Sequence, residues 1–236
     1  MCSVVKANLR MKYRLLLLGL LALLLTAACS APPPLRDDNL LHDDSLITNQ
    51  PCGAPCWNNI TPGETTWNNA VTILEDDTAL ENVQTQQDEE TSAVVAEFQG
   101  VGGSPCCQMF SETGETVSLI FLRLAPDTTV GEIIETHGEP AYAIGSEFAE
   151  DQAIVNLLYP DIQTVVYAFT AGTSVDLTED SEIVGVLYMQ PHDMELLIQT
   201  SNLHAWEGFG PYQAYAVTNE EFEVTPEVTL TPTPEG

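Results

Sequence analysis

The sequence predicts an α+β fold made of two tandem units, each a short helix followed by an antiparallel meander, after a signal segment and a flexible tether. Three observations lead there. Trp67, Ala70, Val71 and Leu74 recur at i, i+3, i+4 and i+7, one apolar face of a helix, and Val130, Ile133, Ile134 and His137 repeat the spacing. Runs rich in β-branched and aromatic residues follow each helix. The two helix openings, Ile60-Thr61-Pro62-Gly63-Glu64-Thr65-Thr66 and Leu124-Ala125-Pro126-Asp127-Thr128-Thr129, match if one residue is added in the first. The expected architecture is two sheets, or one long curved sheet, with helices on one side.

Residues 1–28 read as a signal peptide, with 1–10 an extension before the true start at Met11. Lys12 and Arg14 form a basic head, Leu15 to Leu25 an apolar run, and Thr26-Ala27-Ala28 a stretch of small residues before Cys29. A bilayer span takes about 20 apolar residues, so this run is too short to cross comfortably. The stretch Leu25 to Cys29 resembles the lipobox of bacterial lipoproteins, although Thr26 stands where leucine is commoner. The resemblance implies cleavage before Cys29, lipid attachment there, and a protein held on the extracytoplasmic side of the cell membrane. Its partner would be the lipid bilayer, entered by palmitate-like acyl chains, each buried methylene contributing roughly 0.8 kcal/mol.

Residues 29–50 read as a lipidated tether, stiffened by Pro32-Pro33-Pro34 and extended by Asp37-Asp38 and Asp43-Asp44. Leu40, Leu41, Leu46 and Ile47 are its candidate contacts with the domain. The first unit covers 51–124. Thr66 is a fair N-cap for its helix, and Ala93 to Phe98, Cys106 to Phe110 and Glu115 to Leu124 are its strands. After its helix the chain runs into Asp76-Asp77 and the polar stretch Gln84 to Thr91. Trp57 and Trp67 are expected in this unit's core.

The second unit covers 125–218. Thr129 and Glu132 form a capping box, and Gly138 followed by Pro140 stops the helix. Ala141 to Phe148, Ala153 to Tyr159, Ile162 to Ala171 and Glu182 to Gln190 read as strands, with a hairpin turn at Tyr159-Pro160-Asp161. Asp193 is placed as the cap of a last short helix carrying Met194, Leu197 and Ile198. Residues 219–236, rich in Thr, Pro and Glu, read as a disordered tail.

Charge and cysteines bound the function. All four cations before Cys29 would leave with the signal, so Arg36 and Arg123 face 35 carboxylates and the mature net charge is −33. Such a surface cannot neutralise phosphates, which excludes nucleic acid as a partner. It keeps the protein soluble, or it docks cations or a basic partner. Four cysteines remain after Cys29, in a compartment that permits disulfides. Bonding Cys106 to Cys107 is a strained closure, so the sequence favours crossing bridges between the Cys52/Cys56 and Cys106/Cys107 pairs. Zinc is the alternative, but the C-x3-C and C-C spacings do not fit the usual knuckle.

Catalytic signatures are scarce. No nucleophile elbow, His-Glu-x-x-His or phosphate loop occurs. Gly100-Val101-Gly102-Gly103-Ser104 lies between strands and reads as a hairpin. His42 falls in the tether, His137 at a helix end, and His192 and His204 lack a nameable partner. No catalytic residue, metal ligand or cofactor is assigned. The best candidate for partner binding is the aromatic set Trp206, Phe209, Tyr212 and Tyr215 on a glycine-rich segment. The other reading is that this segment folds back and closes the open edge or end of the sheet.

Ile60-Thr61-Pro62-Gly63-x-Thr65, and Leu124-x-Pro126-x-x-Thr129 through Gly138-Glu139-Pro140, resemble the openings of small envelope lipoproteins of the BamE type, related to β-lactamase-inhibitor-like tandem folds. Pro51-Cys52-Gly53-Ala54-Pro55-Cys56-Trp57 also resembles uncharacterised bacterial lipoproteins. The resemblance implies a non-enzymatic scaffold that binds proteins. The expected function is therefore a membrane-anchored, non-catalytic binding or scaffold domain whose partner is an envelope protein or polysaccharide. An acidic cation-binding surface protein and a secreted hydrolase with an unrecognised site are the alternatives.

Overall fold

Short helices set against an extended antiparallel sheet make up residues 34–217, the part of the chain that the computed structural model describes. The signal segment with Cys29 and the tail from 219 lie outside the described residues. In chain order the elements are helix α1 (Ser45–Thr48), helix α2 (Trp67–Asp76), and strands β1 (Leu80–Gln87), β2 (Val94–Gly100), β3 (Cys107–Ser111) and β4 (Leu119–Arg123). Helix α3 (Val130–His137) follows, then β5 (Tyr142–Ala149), β6 (Gln152–Tyr159), a 3-10 turn (Pro160–Ile162), β7 (Thr164–Thr170), β8 (Asp176–Leu177) and β9 (Ile183–Met189). Helix α4 (Pro191–Thr200), β10 (His204–Ala205), β11 (Gly210–Pro211) and a second 3-10 turn (Tyr212–Ala214) close the described chain.

Nine strands form one sheet in the order β1-β2-β3-β4-β9-β7-β6-β5-β10, while β11 pairs with β8 apart from it. Every pairing in the large sheet is antiparallel. Its middle is the β4–β9 joint, with Leu119 opposite Met189 and Arg123 opposite Gly185.

The helices form where the apolar spacing indicates. Trp67, Ala70 and Leu74 of α2 and Val130 and Ile133 of α3 are buried. The capping box at α3 is closed: the Thr129 hydroxyl accepts from the Glu132 N–H at 3.4 Å, and the Glu132 carboxylate accepts from the Thr129 N–H at 2.9 Å. Gly138, at φ 82°, ends α3 and donates its N–H to the Ile134 carbonyl. Thr66 precedes α2 in extended conformation, but its side chain makes no capping bond.

One face of the sheet carries Phe98, Met109, Ile120, Leu122, Val186 and Val166, packed into the main core with Trp57, Trp67 and the helix residues above. Burying one such side chain fully contributes about 1.5–3 kcal/mol. The other face is only half covered. There Met194 and its neighbours Leu197 and Ile198 on α4 pack against Leu158, Val165, Leu187 and Leu119.

Several expectations need correction. Residues 35–50 are not a free tether: Leu40, Leu41 and Leu46 are core residues, and Leu41 bridges Leu124 in parallel. Apolar side chains among prolines and acids still go where water is excluded. The start of the polar stretch, Gln84 to Gln87, belongs to a strand not expected from sequence, β1, held by its ladder to β2 rather than by an apolar pattern of its own. Helix α4 starts at Pro191 with Gln190 as N-cap; Asp193 lies inside its first turn and accepts from the Gln190 amide. The expected strand from Glu115 is shorter, because Glu115 and Val117 pair instead with Trp67 and Thr65 at the start of α2.

Candidate functional site

Strand alternation and register build a groove on the half of the outer face that α4 leaves open. Side chains at paired positions share a face. One rank across the sheet therefore reads Tyr142, Leu158, Val165, Leu187, Phe121, Gln108, Glu97 and Gln84. It is apolar where α4 covers it and polar where it is open. A second rank places Tyr167, Gly185 and Arg123 side by side. Gln84, Glu97, Gln108, Phe121 and Arg123, with Asn82 and Gln99, line a concavity of about 300 Å³. Pro105 and the Cys106–Cys107 pair also line it, next to the β2–β3 connection.

The polar side chains are held in place. The Gln108 amide donates to Glu97 at 3.0 Å. The Gln99 amide donates to Glu81 at 3.1 Å and to the Gly103 carbonyl at 2.8 Å. Glu81 also accepts the Gly102 N–H at 2.9 Å, so it fixes the glycine-rich connection, which is the hairpin expected from sequence. At the open end of β4, the Asn39 N–H and side-chain amide hold the Asp37 carboxyl below its ordinary value, and Arg123 adds attraction. Phe121 meets Tyr167 edge to face, centroids 5.7 Å apart at 81°. Burial pushes the Tyr167 hydroxyl up to about 12. Gly185 lies between them and Arg123; a Cβ there would come within 3.0 Å of the Leu122 carbonyl oxygen.

The cysteines correct the expected pairing. Cys52 bonds Cys56 and Cys106 bonds Cys107, so no bridge crosses between the pairs. The Gly53-Ala54-Pro55 turn, closed by the Cys56 N–H on the Gly53 carbonyl, brings the first pair to a Cα separation of 5.7 Å, within the ordinary range. For each thiol the nearest partner in sequence is also the nearest in space. The strain expected of adjacent cysteines does not redirect the pairing.

The fold divides the aromatic set. Tyr212 and Tyr215 are buried. Tyr212 lies over Gly145, and the Gly145 N–H donates to the Tyr215 carbonyl. Trp206 stacks on Tyr215, rings 5.5 Å apart and 6° from parallel. Phe209 touches Trp206 edge-on and remains 38% exposed. Three of the four therefore pack over strand β5, next to short β10, at the far edge of the sheet from the groove, with Phe209 on their outer side.

The histidines are dispersed. His42 Nδ1 pairs with the Asp127 carboxylate at 2.5 Å, which raises the imidazole above its ordinary 6.5. His137 Nε2 donates to the Leu46 carbonyl at 2.6 Å, and His204 Nε2 to the Ala216 carbonyl at 3.0 Å. His192 is exposed on α4. Arg36 pairs with Glu182 and lies over the Phe169 ring at 5.6 Å. Among the described residues, no group of three or more His, Cys, Asp or Glu side chains is placed to hold a metal ion. No helix among them is long and apolar enough to cross a membrane.

Sequence reasoning did not find the groove. Its residues are ordinary positions on four successive strands, and only the register brings them together. The one usable signal was the alternation Glu97, Gln99 and Gln108 on strands whose other positions are apolar. No family model, no curated protein and no solved structure matches this chain.

Proposed function

We propose that this chain is a membrane-anchored extracytoplasmic lipoprotein whose folded part is a non-catalytic binding domain, working through the open half of its sheet. The observation that carries the binding role is the change in character along one rank. It is apolar beneath α4 and becomes amide-lined, concave and exposed at Gln108, Glu97 and Gln84, side chains that no packing requirement demands. The anchoring role rests on the lipobox-like Leu25 to Cys29.

We also read the domain as two tandem helix-plus-sheet units meeting at the β4–β9 joint. Two bridges support that reading. Thr66, just before α2, bridges Thr116 ahead of β4; Thr129, just before α3, bridges Glu182 ahead of β9. The equivalent tie recurs at the equivalent place, which suits the weak likeness to BamE-type lipoproteins and a scaffold role.

The test is intact mass spectrometry of the full chain expressed in a bacterium, beside Cys29→Ser. The expected result is an acylated Cys29 at the amino terminus and a membrane-bound protein, both lost in the variant. A free thiol at Cys29 with the leader still attached would refute the anchored reading.

A further inference from the structure

We propose that the groove on β1–β4 binds a neutral oligosaccharide segment. This names the ligand class for the binding-domain reading above and rests on it. Four observations converge.

First, on three of the groove's four strands the ligand must be read by side chains. Strands β2, β3 and β4 each have a paired neighbour on both sides, so their main-chain groups are committed to the ladders. An extended peptide is usually captured by main-chain pairing at a sheet edge, and the groove is on the face.

Second, the polar groups match hydroxyls. A hydroxyl donates and accepts, and a side-chain amide does both from one flat group. Asn82, Gln84 and Gln108 supply three such amides, and Gln99, whose two N–H hydrogens go to Glu81 and the Gly103 carbonyl, offers its side-chain carbonyl oxygen. Gln99 and Gln108 are already oriented by Glu81 and Glu97, which lowers the ordering cost on binding.

Third, Phe121 ends the open rank with an apolar ring held edge to face by Tyr167. A ring face of this kind packs against the C–H face of a sugar.

Fourth, the charges select against anions. After removal of the leader only Arg36 and Arg123 oppose 35 carboxylates, so the field repels anionic polymers. From β1 to β4 the groove crosses about 14 Å at the usual strand spacing of roughly 4.8 Å, enough for a short oligosaccharide rather than one sugar.

The experiment is affinity gel electrophoresis of the full chain in mild detergent, with hydroxyethyl cellulose, glucomannan or dextran cast in the gel. At least one of these neutral polymers should retard the protein. Phe121→Ala, and separately the doubly substituted Gln84→Ala/Gln108→Ala, should weaken retardation roughly 3- to 10-fold. Glu195→Gln on α4 should leave it unchanged. Both glutamines are exposed, so the double variant keeps its fold even if Phe121→Ala does not.

No retardation by any of the three polymers would overturn the proposal. So would retardation equal to wild type in the double variant, or stronger retention by polygalacturonate or gelatin, the anionic and peptide counterparts. Acylation of Cys29 is read separately by mass. An acylated chain that ignores neutral glycans removes this ligand class and leaves the anchored binding domain standing. An unacylated chain that still binds them removes only the anchor.

Discussion

His42 and Asp127 form a pair in which both side chains are more than half exposed, yet the hydrogen bond raises the imidazole. Exposure keeps its worth small. The sign is nonetheless fixed. A histidine whose folded value is raised adds stability that is fully present below its unfolded value and is lost as pH rises through the folded one. Proton NMR titration should place His42 above 6.5, and Asp127→Asn should bring it back down. A different single residue tests the edge closure. At Gly145 an added Cβ would sit 2.8 Å from the Tyr212 ring. Gly145→Ala should lower stability by about 1–3 kcal/mol through overpacking, read as a reduced urea midpoint. An unchanged midpoint would mean that Tyr212 moves away freely.

The helices differ in how firmly they start. Thr129 closes a capping box and Thr66 makes no side-chain cap. Thr129→Ala should therefore cost about 1 kcal/mol in thermal or urea unfolding, and Thr66→Ala clearly less. Both helices were legible in the sequence, because spacing, caps and the Gly138 stop are local signals. Strand β1 was not. Its burial barely alternates, since Leu80 to Gln87 lies at the sheet edge and receives its structure from β2. The groove was illegible for the same kind of reason: Gln108 acquires meaning only when register sets it between Glu97 and Phe121. The cysteine pairing was misread because a general strain argument was set above simple proximity. Non-reducing digestion followed by mass spectrometry should give cross-links within 52–56 and within 106–107; a peptide joining the two regions would contradict the pairing.

At the scale of the whole molecule, residues 35–50 are part of the fold. Leu41 bridges Leu124, its N–H donates to the Arg123 carbonyl, and its carbonyl accepts the Ala125 N–H. Leu41→Ala should destabilise by about 2–5 kcal/mol, the range for a buried leucine, and calorimetry would show it. A chain begun at residue 51 should lose cooperative unfolding, since Leu40, Leu41 and Leu46 would all be gone. Its leucines were legible as contacts with the domain, while its prolines and acids made the segment read as a tether. The two disulfides, spanning sequence separations of 4 and 1, staple only their immediate surroundings. Stretched between its termini in an optical trap, the domain would unspool to almost the full contour of a thiol-free polypeptide, and a reductant in the chamber would lengthen the trace hardly at all.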